Sequence, residues 1–170
     1  FIGLWAGVIF ASCSSDEDMI TGKTLPQGKY PVAMTVSVES PIARSSVDGT
    51  WTNGEKVTVQ AITKTGDAYN WNDAASYPYE INNDIPAAST KKETHYWQRS
   101  DETKLMRAWH CADGSTSNTL PDSWSVAADQ NETGNGYAES DLLFTAPVEV
   151  KFGSTADLIF YHQTARIIVN

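Results

Sequence analysis

Apolar residues in this chain recur at every second position, and no stretch of ten or more residues keeps the three-to-four spacing of an amphipathic helix. Val32, Met34, Val36 and Val38 alternate with Ala33, Thr35, Ser37 and Glu39, and Val57, Val59 and Ala61 alternate with Lys56, Thr58 and Gln60. Successive side chains of a strand point to opposite faces, so each run describes a strand with one apolar face. Pro41 stops the first run, and the turn pair Asn53-Gly54 leads into the second. Shorter strands are expected at 68–71, 94–98, 105–111 and 123–127, and stronger ones at 142–145, 148–152 and 158–169. Gly49, Gly66, Asp113-Gly114 and Gly134-Asn135-Gly136 punctuate them. Many short strands separated in this way predict an all-β sandwich.

The last run contains an irregularity. Leu158, Phe160 and His162 share one parity, whereas Ala165, Ile167 and Val169 share the other. One regular strand cannot keep both sets on one face, so a bulge is expected near Gln163-Thr164.

Composition excludes several classes. With 12 basic against 21 acidic residues the net charge is −9, which opposes nucleic-acid binding, because phosphates need a basic face. Hydrophobic residues at 41% supply a core, and aromatics at 11% are too many for a disordered chain. The sequence starts at Phe1 and stops at Asn170 inside an apolar run, which reads as a piece of a longer protein.

Residues 1–10, FIGLWAGVIF, are apolar apart from two glycines. They are too short to span a bilayer, which takes about 20 helical residues, and fit the apolar part of a secretory signal. Ala11-Ser12-Cys13 resembles the lipobox of bacterial lipoproteins, which implies acylation of Cys13. Ser14-Ser15-Asp16-Glu17-Asp18 is similar to the acidic surface-export signal of Bacteroidetes lipoproteins, and serves equally as a solvated tether. The expected organisation is therefore a truncated signal at 1–12, a polar tether at 13–29 and a β-domain at 30–170. Cys111 has no intrachain partner if Cys13 is acylated, so it is expected to be a small buried residue with no disulfide.

The search for chemistry returns little. His95, His110 and His162 show no metal-ligand spacing, and His110 and Cys111 would project from opposite faces of one strand, so no metal or other cofactor is expected. Asp129, Asn131, Thr133 and Gly134 imitate the start of a calcium loop, but Ser140 stands where the bidentate Glu belongs. No GxSxG, P-loop or GxGxxG occurs. Carboxylates concentrate in turns, at Asp48, Asp73, Asp84, Asp101 and Asp113, where Asp is favoured for backbone reasons. No catalytic residue is assigned. Beyond Trp5, five tryptophans remain for the domain, Trp51, Trp71, Trp97, Trp109 and Trp124. They read as packing residues or, in the alternative, as a platform for sugar rings.

Several fragments carry a family resemblance. They are Cys13 in its lipobox, Ala43-Arg44-Ser45, Trp51-Thr52-Asn53-Gly54-Glu55-Lys56-Val57, Tyr96-Trp97, Asp129-Gln130 and Glu139-Ser140-Asp141-Leu142-Leu143-Phe144. Leu158, Phe160, His162, Ala165, Ile167 and Val169 follow. In order and spacing these resemble the fimbrillin-like proteins of Bacteroidetes, the type V pilins. The pair Glu55-Lys56 departs from the Asp that the family usually carries after this Gly.

The resemblance implies a transthyretin-like β-sandwich, forming the N-terminal lobe of a two-lobed pilin whose second lobe would follow this chain. It also implies a lipoprotein held by its lipid anchor on the outer membrane and exposed at the cell surface. A trypsin-like protease would cut beyond the first strand, with Arg44 as the candidate site, although Arg44 is equally readable as an ordinary loop residue. The vacated groove would take a strand from the next fimbrial subunit, by β-strand addition. The implied role is structural and adhesive, toward a ligand on a host or bacterial surface. The alternative function is a surface lipoprotein that binds glycan through exposed tryptophans.

Overall fold

The computed structural model describes residues 23–39, 51–66, 69–88, 93–129 and 136–164. Among these, eight strands form one sheet: β1 Ala33–Val38, β2 Lys56–Thr63, β3 Ala75–Asn82, β4 Ile85–Ala88, β5 Thr103–Cys111, β6 Leu142–Thr145, β7 Val148–Lys151 and β8 Thr155–His162. The order across the sheet is β1-β8-β6-β5-β2-β3-β4, with β7 alongside β6 on the same edge of β5. Every pairing is antiparallel except that of β1 with β8. The sheet folds over until its two ends meet, where the Val36 N–H donates to the Asp84 carbonyl at 3.0 Å. The fold is the all-β sandwich expected, its two layers joined by a continuous ladder.

Alternation places the core. Met34 and Val36 of β1, Val57 and Val59 of β2, Ile81 of β3, Met106 of β5 and Leu158 and Phe160 of β8 form one buried cluster. β2 and β5 are covered on both faces. Thr58 and Gln60, the expected wet side of β2, are buried, and the segment around Trp71 lies over Gln60. There Gln60 Nε2 donates to the Trp71 carbonyl at 3.0 Å and Arg107 Nε donates to Gln60 Oε1 at 2.7 Å. The Arg107 guanidinium lies 4.2 Å from the centre of the Trp71 ring, a cation–π contact. Farther along the outer face Trp109, Cys111 and Leu142 form a second small core under Leu120 and Trp124. Cys111 is buried as expected, and burial raises its thiol pKa.

Four local expectations change. Trp71–Asp73 is a 3₁₀ turn instead of a strand, because the Asn70 side chain accepts the Asn72 N–H and starts a turn. Residues 94–98 form no ladder, only one isolated bridge to the N-terminal segment, Tyr96 to Pro31. Residues 123–127 are irregular and cover the outer core, tied down where Ala127 N–H donates to Ser140 Oγ at 2.7 Å. The β3–β4 hairpin was not anticipated. Its two-residue turn is Asn83-Asp84, with φ of 51° and 60°, the left-handed pair that a tight hairpin requires. β8 ends at His162, and the parity change at Ala165 lies outside the described residues.

Candidate functional site

The feature with most functional content is the seat of the N-terminal segment. From Lys23 the chain runs along residues 95–100, with Ser100 N–H donating to Lys23 O at 2.7 Å and Leu25 N–H to Gln98 O at 2.8 Å. It turns at Pro26–Lys29, then exchanges Trp97 N–H to Tyr30 O and Val32 N–H to His95 O, both at 2.9 Å. The end of the expected tether thus lies against the fold, and Leu25 is buried.

β1 then enters a slot between β8 and the β3–β4 turn. In register, Met34 stands opposite Ala156, Val36 opposite Leu158 and Val38 opposite Phe160. The longest inward side chain faces the smallest partner, and the β-branched ones face the large partners. Outward, Thr35 Oγ1 donates to Asp157, and the Glu39 N–H donates to the Phe160 carbonyl at 2.9 Å. Val32, Met34 and Val36 are each almost fully buried. At roughly 1.5–3 kcal/mol per buried side chain they contribute on the order of 5–9 kcal/mol. That is comparable with the whole stability of an ordinary domain, about 5–15 kcal/mol.

The wall that receives the segment is braced from behind. His95 is buried between the rings of Tyr77 and Tyr79, at 4.8 and 6.0 Å between centroids. Its Nε2–H donates to the Val59 carbonyl at 3.0 Å, which fixes the tautomer. Burial pulls the His95 pKa down to about 4, against the opposing bond to Val59, and the Lys104 charge adds to the fall. Burial pushes Tyr79 up to about 12. Glu102 accepts from Gln98 N–H at 2.8 Å, Thr63 Oγ1 at 2.5 Å and Lys104 Nζ at 2.5 Å. Burial works against its charge, but those donors outweigh it and hold the carboxyl below its ordinary range.

At the far end of β8, Asp141 ties two strands together. It accepts from His162 Nδ1 at 2.7 Å and from Thr164 Oγ1 at 2.9 Å. His110, on β5, donates from Nδ1 to the Lys56 carbonyl at 2.7 Å. The three histidines therefore serve three separate places in the fold. Among the described residues no group of three or more His, Cys, Asp or Glu is placed to hold a metal.

Cys13 and Arg44 both lie outside the described residues, as does part of the calcium-like loop from Asn131 to Gly134. The described tryptophans form no exposed platform. Trp97 and Trp109 are buried, Trp51 packs on His110 and Phe160, and Trp71 carries Arg107. Trp124 Nε1 donates to the Ser140 carbonyl at 2.7 Å. Each described indole thus makes packing or covering contacts, with Trp51, Trp71 and Trp124 half-buried. The residues missed in the sequence are the bracing ones, His95 with its two tyrosines and Glu102 with Lys104. Tyr77-x-Tyr79 was a visible strand alternation, whereas nothing local marks Glu102 as buried.

Fold and site together define an all-β domain in which the N-terminal strand fills a slot between the two ends of its sheet. The family profile described as fimbrillin-like matches residues 43–170, and the chain belongs to that family. No curated protein sequence matches it. Among solved structures it is similar to a fimbrial protein from Bacteroides ovatus ATCC 8483, at 15% identity with a TM-score of 0.43. The match covers 78% of this chain and 28% of that one, so the chain spans little more than a quarter of that protein's length. A likeness of that degree supports no conclusion about mechanism.

Proposed function

We propose that the chain is the precursor of a fimbrial subunit, or of a fimbria-associated protein, that assembles by strand exchange and catalyses no reaction. In this reading residues 1–12 are the end of a signal, Cys13 is acylated and holds the protein on the outer membrane, and residues 30–170 form the N-terminal lobe. Cleavage after Arg44 releases the segment that contains β1, and a strand from another subunit takes its slot.

The observation that carries the reading is the seat of β1. It is the first described strand, paired along β8 and touching the opposite edge, with Val32, Met34 and Val36 filling the core. Loss of such a strand leaves unpaired backbone groups on β8 and uncovers Leu158 and Phe160, which together favour addition of another strand. Arg44 lies a few residues past Val38, where a cut would free β1 without touching β2.

Intact mass and N-terminal sequencing of the protein recovered from the cell surface test this. A mature chain beginning at Ser45 without acyl mass is the expected result for a shaft or tip subunit. In the Arg44→Ala variant the lipidated precursor should accumulate. A wild-type chain that still begins at acylated Cys13 within isolated fimbriae would refute removal of the segment and leave an anchoring role. Unchanged processing of Arg44→Ala would remove that residue as the cut site.

A further inference from the structure

A cavity of about 830 Å³ opens beside the N-terminal segment, between the end of β2, the start of β3 and residues 94–98. This volume lies in the range of small-molecule sites, about 300–1,000 Å³. Its lining includes three aromatic side chains, Tyr77, Tyr96 and Trp97, and three planar polar ones, Asp73, Gln27 and Gln98. Tyr77 and Tyr96 are half-buried, so ring surface remains open, while Trp97 is buried.

Charge narrows the class of occupant. Lys104, the cationic side chain in the lining, is held by Glu102 at 2.5 Å and so is not free to neutralise an anion. The amide and carboxylate groups make the site too polar for a lipid chain, because a buried polar group without a partner is costly. Ring faces beside planar amides and a carboxylate suit a neutral ligand with an apolar face and a rim of hydroxyls. We infer that this cavity binds a short neutral saccharide, its ring stacked on Tyr77 or Tyr96 and its hydroxyls bonded to Asp73, Gln27 and Gln98. The site is separate from the slot of β1, but Gln27 belongs to the segment that cleavage after Arg44 would release, so the inference applies to the uncut chain.

The test is calorimetric titration of the full chain with five probes: maltotriose, cellotriose, mannotriose, xylotriose and N,N′-diacetylchitobiose. Saturable one-to-one binding of at least one probe is expected. Affinity should fall at least tenfold in Tyr96→Ala. It should also disappear in Ala75→Trp, which adds bulk at the exposed cavity edge and removes no buried group. Far-ultraviolet circular dichroism would establish that both variants stay folded. Binding that survives Ala75→Trp unchanged would place the saccharide elsewhere and overturn the inference. So would the absence of saturable binding for all five probes at 10 mM, and neither result would bear on processing at Arg44.

Discussion

Mild acid should weaken this fold through His95. The imidazole is buried between Tyr77 and Tyr79 with its Nε2–H on the Val59 carbonyl. Its folded pKa is about 4, against an ordinary value of 6.5. Because the folded value is the lower one, the unfolded chain takes up the proton first as pH falls. The stability that a neutral His95 contributes is therefore complete above pH 6.5, declines between 6.5 and 4, and changes no further below 4. With those two values, linkage gives a loss of about 2 kcal/mol at pH 5 relative to pH 8, and a ceiling of about 3 kcal/mol.

Urea unfolding followed by tryptophan fluorescence at pH 8, 6.5 and 5 reads this directly. With a denaturant slope of about 1–3 kcal/mol per molar, a loss of that size moves the midpoint by roughly 1 M. The comparison is with His95→Gln, which keeps an N–H donor but does not titrate. Asp101 and Glu102 also lose stabilising charge in acid, since both carboxyls are held below their ordinary values. Their effect is concentrated below pH 5 and is common to both proteins. The decline from pH 8 to 5 should shrink by about 2 kcal/mol in the variant, whatever its absolute stability. An identical decline in the two proteins would refute the assignment. The His95 carbonyl also accepts the Val32 N–H, so the protection factor of the Val32 amide in hydrogen exchange should fall at pH 5 relative to pH 8.

Other perturbations follow from packing. Leu158→Ala opens a void opposite Val36 and should cost about 2–5 kcal/mol in urea unfolding. Glu102→Gln leaves the buried Lys104 ammonium without its carboxylate and should cost about 3–5 kcal/mol, with Glu102→Gln/Lys104→Met recovering part of that in a double-mutant cycle. Trp109 Nε1 is buried without a hydrogen-bond partner. Trp109→Phe should therefore cost less than about 1.5 kcal/mol, whereas Trp109→Ala should cost about 3–5 kcal/mol by calorimetric or chemical unfolding.

Alternation of apolar and polar residues made β1, β2, β7 and β8 legible in the sequence, and a short apolar run marked β6. The β3–β4 hairpin was hidden by Pro78 and Pro86, which argue against strands. Pro78 is tolerated since β4 pairs only with Tyr79–Asn82 and leaves the neighbouring stretch of β3 without a ladder on that side, and Pro86 lies on the edge strand. The signal that could have revealed the hairpin was Asn83-Asp84 between apolar residues. Gln60 read as solvent-facing because its cover comes from Trp71 in the β2–β3 connection, a contact that strand alternation does not encode. The seat of β1 was legible only as a strand before a proline. Its parallel partner lies 122 residues away at the Thr35–Asp157 pair, and register at that distance is set by the fit of Met34 to Ala156.

Under the proposed exchange, β1 would have to be both strongly held and replaceable. Among the described residues the hold on β1 is the ladder to β8, the contact at Asp84 and the buried side chains. Another strand with a long side chain opposite Ala156 and β-branched ones opposite Leu158 and Phe160 would satisfy the same groups. Spontaneous departure forfeits roughly 5–9 kcal/mol of burial at once, so an intact chain keeps its own strand by virtue of high effective concentration. A cut between β1 and β2 removes that advantage but none of the contacts. On the proposed reading, exchange would need cleavage and an arriving strand together, and a nicked chain kept apart from other subunits should retain β1 and remain folded until a competing strand is supplied.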